Sequence, residues 1–392
     1  MKKKRVTIIA WRDLWNPDMG GAEIYITKMA EFIAARGHKV RFLTPKYPGS
    51  KGFERIRKIS YIRPHGKYSS YILYPLIFLF KFRKDTDIVI ENYNAWPYLT
   101  PLLHKRSLIA FMHLQDREWH DHFPKVVAWL FGPLFKYSSR FLLQLFYKNR
   151  NMVSISPSSS ESIDRLKLRP KRLEIIYPGV DNERLIGEEG ISLKSASLKG
   201  ADLNLFYVGR LSEHKRVEIA IDLVKRFVDS GVTDVELHIA GKGAQEAVLM
   251  DLVKEYQIQD HVKFHGFISE EEKYQLYDKA HIHIQPAQYE GWGITVIEAA
   301  GRGTPSLAFN VEGLRDSIGG SGYIVEDVDE LFLTAMRIKS EITQPDSEYW
   351  RKVGAAPDWA RRFTWDSQCI KFNHLVEELV SSGSQQGLPR SN

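Results

Sequence analysis

Two acids, Glu290 and Glu298, stand with seven residues between them and bracket a turn that contains Gly291 and Gly293. Glycine there removes Cβ atoms where the chain enters a helix, so a ligand can approach the backbone and free N–H groups can face an anion such as phosphate. Glu298 lies within Ile294-Thr-Val-Ile-Glu-Ala-Ala300. An ionised carboxylate among apolar neighbours costs free energy unless something bonds it, and a pair of ligand hydroxyls would serve. Glu290, on the turn, is free to reach a second polar group of the same ligand; the bland alternative is a solvent-facing Glu298 and a plain turn residue at 290. A second cluster is Gly209-Arg-Leu-Ser-Glu-His-Lys215, a glycine turn after an apolar run. Arg210 supplies a forked donor and Lys215 a point charge aimed at one place, which suits a diphosphate; two surface cations are the alternative. The Gly-Lys-Ser/Thr order of a Walker loop is missing.

The segment Glu290-Gly-Trp-Gly-Ile-Thr-Val-Ile-Glu-Ala299 resembles the donor-site motif of the retaining glycosyltransferases of family four. The resemblance is close over 177–325 and loose over 1–170. It implies the GT-B architecture, two Rossmann-like domains facing across a cleft. It implies that Glu290 bonds sugar hydroxyls of a nucleotide-sugar donor, that Glu298 bonds the ribose hydroxyls, and that N–H groups around Trp292, Gly293 and Ile294 hold sugar or phosphate. Arg210 and Lys215 would bind the donor diphosphate and stabilise it as it leaves. Gly20-Gly21 would lie near the transferred sugar and the phosphates, although the glycines alone also explain a turn. His113, at the end of Ser107-Leu-Ile-Ala-Phe-Met-His113, would contact the donor sugar and stabilise positive charge at the anomeric carbon. Gly241, in Ile239-Ala-Gly-Lys-Gly243, would approach the phosphates or ribose, and His265, Phe267 and Ile268 occupy the place where the family binds the base through the main chain. By resemblance the transfer is front-face, with the departing diphosphate taking the acceptor proton. After Pro305 the family often has Gly-Gly and then an acid; Val311-Glu-Gly-Leu-Arg-Asp-Ser317 departs from that, and neither Glu312 nor Asp316 receives a role.

No metal is expected. Departing diphosphate needs its charge offset, and Arg210, Lys215 and the Gly291–Gly293 turn can do so without a divalent ion. His120 and His122 flank Asp121, and His281 and His283 share one strand face, but neither pair has an identifiable third ligand.

The elements that must position these groups follow from periodicity. Alternating strand and helix patterns over 392 residues predict two α/β domains, 1–176 for the acceptor and 177–380 for the nucleotide sugar, with 381–392 as a loose tail. Strands are predicted at Val6–Ala10, His38–Thr44, 59–63, 87–91, 107–113, 152–156 and 173–176, then at 203–208, 235–240, 262–265, 281–285, 305–309 and 322–325. The helix Trp365 to Val380 is expected to pack back toward the first domain. Hydrophobic residues at 43% and charged ones at 26% are those of a globular protein.

A single cysteine, Cys369, allows no intrachain disulfide, and the apolar run after Met1-Lys-Lys-Lys-Arg5 is too short for a signal sequence, so a cytoplasmic protein is expected. The net charge of +7 divides unevenly: residues 1–180 carry 32 Lys and Arg against 14 Asp and Glu, a net +18, and the remainder 23 against 34, a net −11. The basic half therefore suits an anionic partner, either a membrane surface or a glycan or lipid-linked acceptor. Segments 67–84 and 124–150 mix aromatic, aliphatic and cationic residues, which fits helices at the inner membrane face as well as core helices. Trp11, Trp15, Trp96 and Trp119 could stack on sugar or lipid, or be packed. No nucleic-acid reading motif accompanies the charge. A sugar-nucleotide epimerase or hydrolase could share this fold, as could a non-catalytic binding protein, although intact Glu290, Glu298, Arg210 and Lys215 argue against the latter.

Overall fold

Short runs such as Val6-Thr-Ile-Ile and Leu203-Asn-Leu-Phe-Tyr-Val208 are apolar on both strand faces, which suits a parallel sheet covered by helices on each side. The computed structural model bears this out; it describes residues 3–66, 69–93, 96–111, 137–199 and 202–382. His113, Trp119, His120 and His122 lie outside the described residues, as do 124–136 of the second mixed segment and 383–392 of the tail.

The chain divides into two compact units, Met1–Tyr177 with Ser367–Asn392, and Pro178–Asp366. This differs from the boundaries expected from sequence. The second unit closes at Asp366 because Val180 pairs with Thr364 and Asn182 Nδ2 donates to Asp366 Oδ2 at 2.9 Å. Just beyond, Gln368 Oε1 accepts from the Tyr177 N–H and Arg172 Nη1 donates to Glu378 Oε2 at 2.6 Å, so the last helix, Trp365–Ser382, counts from Ser367 with the first unit. Ser381 and Ser382 belong to that helix rather than to a tail.

The first unit holds strands β1 (Arg5–Ile9), β2 (Lys39–Leu43), β3 (Phe53–Ile56), β4 (Ile59–Ile62), β5 (Ile88–Tyr93), β6 (Ser107–Phe111), β7 (Asn151–Ser154) and β8 (Arg172–Ile175), in the order β3-β4-β2-β1-β5-β6-β7-β8. All neighbours are parallel except β3 and β4. That hairpin is absent from the sequence expectation because its two-residue turn, Arg57-Lys58, holds φ of 45° and 68° without the Asn-Gly or Asp-Gly pair that normally announces it.

The second unit holds β9 (Leu203–Val208), β10 (Val235–Ala240), β11 (Val262–Gly266), β12 (Ile282–Gln285), β13 (Ser306–Phe309) and β14 (Tyr323–Val325), ordered β11-β10-β9-β12-β13-β14 and parallel throughout. Its core joins Leu205, Tyr207, Leu237, Ile239, Ile284 and Leu307 to the helix Glu218–Asp229. Strand order reverses between β9 and β12, and a crevice for ligands opens beyond the carboxyl ends of the two strands at such a point. Arg210 and Lys215 follow β9; Glu290 follows β12.

Candidate active site

The loop after β9 is held by backbone. Gly209 N–H donates to Ala240 O at 3.0 Å, Leu211 N–H to Lys242 O at 3.0 Å, and Gly241 N–H to Gly266 O at 2.7 Å. Three strand ends are thereby locked together. The Gly241 N–H is used in this lacing; the glycine serves the scaffold directly. The buried Tyr207 donates its hydroxyl to Arg210 O at 3.1 Å, which fixes the turn that leaves the Arg210 side chain exposed.

Glu213–Lys215 forms one 3-10 turn, and here the two loops at the switch point meet. Gln288 N–H donates to His214 O at 2.8 Å, and the His214 ring stacks on Tyr289 at 4.7 Å with 9° between planes. Lys215 Nζ then reaches Glu290 Oε2 in an ion pair whose side chains are only 18% and 23% exposed. The cation predicted for the diphosphate and the acid predicted for the sugar sit at one place, 75 residues apart in the chain.

The turn runs on into Trp292, which is buried edge-on against Phe363 at 5.0 Å, so its ring is a packing element. Gly293 has φ of 93° and caps the helix Ile294–Gly301; a Cβ there would lie 2.9 Å from Leu314 Cδ2. Glycine is required on both counts. Ile294 opens the helix half-buried.

Glu298 is held from a neighbouring helix, Glu270–Lys279. Lys273 Nζ lies 2.9 Å from Glu298 Oε1 and 3.0 Å from Glu270, and the Tyr277 hydroxyl lies 3.1 Å from Thr295 O and 3.4 Å from Glu298 Oε2. Burial pushes the Glu298 carboxyl above the usual carboxylate range, against the pull of Lys273. Burial lowers the Lys273 ammonium, but Glu298 and Glu270 outweigh it and leave it raised. Lys273 and Tyr277 escaped the sequence reading. The acidic run Glu270-Glu271-Glu272 before Lys273 has the look of a solvated helix start, and only the spacing of Lys273 and Tyr277, one turn apart, signals a shared inner face.

Around the expected base site, His265 Nε2 hydrogen-bonds His238 Nδ1 at 2.9 Å, and burial lowers both rings below the ordinary histidine range. Phe267 is 81% exposed, and Ile268 packs beside Tyr274 and Tyr277. His281 and His283 lie in the core, where burial pulls them down to about 4 and about 3, and they bond Leu198 O and Ser306 Oγ. No group of three His, Cys, Asp or Glu that could hold a metal occurs among the described residues.

In the first unit, Gly20 precedes the helix Gly21–Ala35, and its N–H donates to Glu23 Oε2 at 2.7 Å. Glu23, buried and paired with Arg12 at 3.2 Å, occupies that helix start. Trp11 is buried and stacks on Tyr71, which stacks on Tyr98; Trp15 meets Tyr61 edge-on, and Trp96 is half-buried. Trp11 and Trp15 are thus packed. Glu91, buried within β5, accepts from the N–H groups of Tyr98 and Thr100 and from the Tyr147 hydroxyl.

Two family descriptions match: Glycosyltransferase Family 4 over residues 19–184 and Glycosyl transferases group 1 over residues 192–337. The chain is a family 4 glycosyltransferase of GT-B fold. An uncharacterized glycosyltransferase of Methanocaldococcus jannaschii is 23% identical to this glycosyltransferase, over 91% of this chain and 90% of its own. Among solved structures, the sucrose-phosphate synthase of Thermosynechococcus elongatus has the same fold, with a TM-score of 0.76 at 19% identity over 97% of this chain and 100% of its own. Anabaena HepE, solved in complex with UDP and glucose, gives 0.67 at 16% identity over 97% and 100%.

Proposed function

We propose that this glycosyltransferase moves a sugar from a nucleoside-diphosphate donor to a glycan or lipid-linked acceptor at the cytoplasmic face of a membrane, with retention at the anomeric carbon and no metal ion. The observation that carries the reading is the meeting of Lys215 and Glu290 at the switch point of the second sheet, beside the Gly293-opened helix and in the same loop as Arg210. In this reading the diphosphate takes the place of the Glu290 carboxylate on Lys215, and Arg210 adds a bidentate contact. Glu290, released, accepts from sugar hydroxyls. The bond between the anomeric carbon and the phosphate oxygen breaks, the acceptor oxygen bonds the same face, and its proton passes to the departing diphosphate. Fixed cations and helix N–H groups offset the charge that develops. His113 keeps its proposed place against the sugar, and the main chain at His265, Phe267 and Ile268 its proposed place against the base. Turnover of the preferred donor is expected to persist in excess EDTA; a loss that added Mg²⁺ or Mn²⁺ restores would overturn the metal-free reading.

Membrane attachment is supported by two exposed stripes in the first unit. Ile72, Leu76 and Phe80 recur every four residues and are 72%, 46% and 80% exposed, followed by exposed Lys81, Arg83 and Lys84. Tyr137, Phe141 and Leu145 repeat the spacing at 69%, 63% and 55%. Apolar rows flanked by cations suit an anionic bilayer surface, and no helix among the described residues is long and apolar enough to cross one. Sedimentation with phosphatidylglycerol vesicles is expected, weakening as salt rises; replacing Leu76 and Phe141 with Glu should abolish it, and retention by that variant would refute these surfaces.

A further inference from the structure

A buried carboxylate accepts most strongly from the two hydroxyls of a diol while it is ionised. Charged, its two oxygens offer about four acceptor sites; protonated, it converts one of them to a donor. Glu298 is in this position. Its side chain is 12% exposed and sits on a helix of apolar neighbours, and burial alone drives it toward the neutral acid. Lys273 counters from the adjacent helix, with its own side chain 11% exposed and its Nζ 2.9 Å from Oε1. That contact uses one site on Oε1. The Tyr277 hydroxyl, at 3.4 Å, scarcely draws on Oε2 and is nearer to Thr295 O at 3.1 Å. Capacity for two hydroxyl donors therefore remains, provided the charge is kept.

The geometry points to Lys273 as a positioning residue for the donor: its ammonium holds Glu298 as a carboxylate aimed for the ribose diol. This inference rests on the proposed role of Glu298 and goes beyond it by assigning the residue that keeps the acid charged. The strongest charged and hydrogen-bonding influences on Glu298 come from the same neighbouring helix: Lys273, Glu270 and Tyr277, with Tyr274 alongside. Glu270 opposes the ionised state and Lys273 favours it. Removing Lys273 raises the Glu298 carboxyl further, and the affinity that depends on the diol then falls as pH falls and returns as pH rises.

The test is calorimetric titration of UDP, ADP and GDP, each against its 2′-deoxy form, into wild type, Lys273→Met, Lys273→Arg and Glu298→Gln at about pH 6 and about pH 8.5, a span on either side of the histidine range. Wild type should prefer the ribonucleotide about tenfold at both pH values, the size of one hydrogen bond to a charged group. Lys273→Met should lose that preference at the lower pH and regain it at the higher, while Lys273→Arg keeps it at both. A preference in Lys273→Met that is intact at both pH values, or lost equally at both, overturns the inference, the second result marking a merely structural lysine. Should wild type and Glu298→Gln both fail to distinguish the two forms, the reading of Glu298 itself fails, which is a different outcome. Thermal melts confirm that each variant is folded before its affinities are compared.

Discussion

Replacing Lys215 by alanine is expected to lower turnover on the order of a hundredfold, comparable with losing one preorganised donor from an oxyanion site. Two losses combine. The point charge that meets the departing diphosphate disappears, and Glu290, 23% exposed, loses the Lys215 ammonium beside the place where a second anion must bind. Donor affinity should fall as well, because the remaining carboxylate repels the phosphates. Arg210→Ala removes the forked donor and keeps the Lys215 ammonium beside Glu290, so its turnover loss should be similar but with less added repulsion. Initial rates with saturating donor, alongside thermal melts of each variant, check this. A Lys215→Ala enzyme turning over within about threefold of wild type would remove Lys215 from leaving-group stabilisation, since a group acting there is worth far more.

The fold was legible because both sheets are buried and, apart from the β3–β4 hairpin, parallel. Strands such as β1, β9 and β13 are largely apolar runs separated by helix patterns, and that signal survives without tertiary information. The chemistry was legible where it is strung along one segment, as in Glu290 to Glu298. What could not be read was pairing across the sheet. Lys215 and Glu290 are each visible at a strand end, but their contact depends on β9 and β12 being neighbours, which the strand order decides. Lys273 was hidden for a different reason, since its own helix start is so acidic that the lysine passes for part of a solvated face. The Arg57-Lys58 hairpin was hidden because its turn adopts positive φ with residues that do not advertise it. His265 stands on β11, and the partner of its ring, His238, stands on β10, so the side chain's engagement is again a matter of register.

Gly313 was the most thoroughly concealed, and its replacement by alanine carries the second large effect. The stretch Val311 to Ser317 looked irregular, yet Glu312–Ile318 is a helix that lies against the Glu290 turn. A Cβ on Gly313 would stand 2.3 Å from Gly291 C, 2.4 Å from Glu290 O and 2.5 Å from Gly291 O. All three are backbone atoms, so no rotamer change relieves the overlap. Either the helix or the turn must move by something near 1 Å, and a displacement of that size at a reacting centre costs on the order of a hundredfold in rate. Gly313→Ala should therefore reduce turnover to that extent, although alanine is the better helix former by about 1 kcal/mol. Gly354 provides the contrast: it lies exposed in the helix Glu348–Arg361 with nothing within 4 Å of an added Cβ. Gly354→Ala should raise the melting temperature and leave turnover unchanged. If Gly313→Ala were as active as Gly354→Ala, the turn that carries Glu290 would be yielding, and a yielding turn could not hold Glu290 and Lys215 ready for a diphosphate.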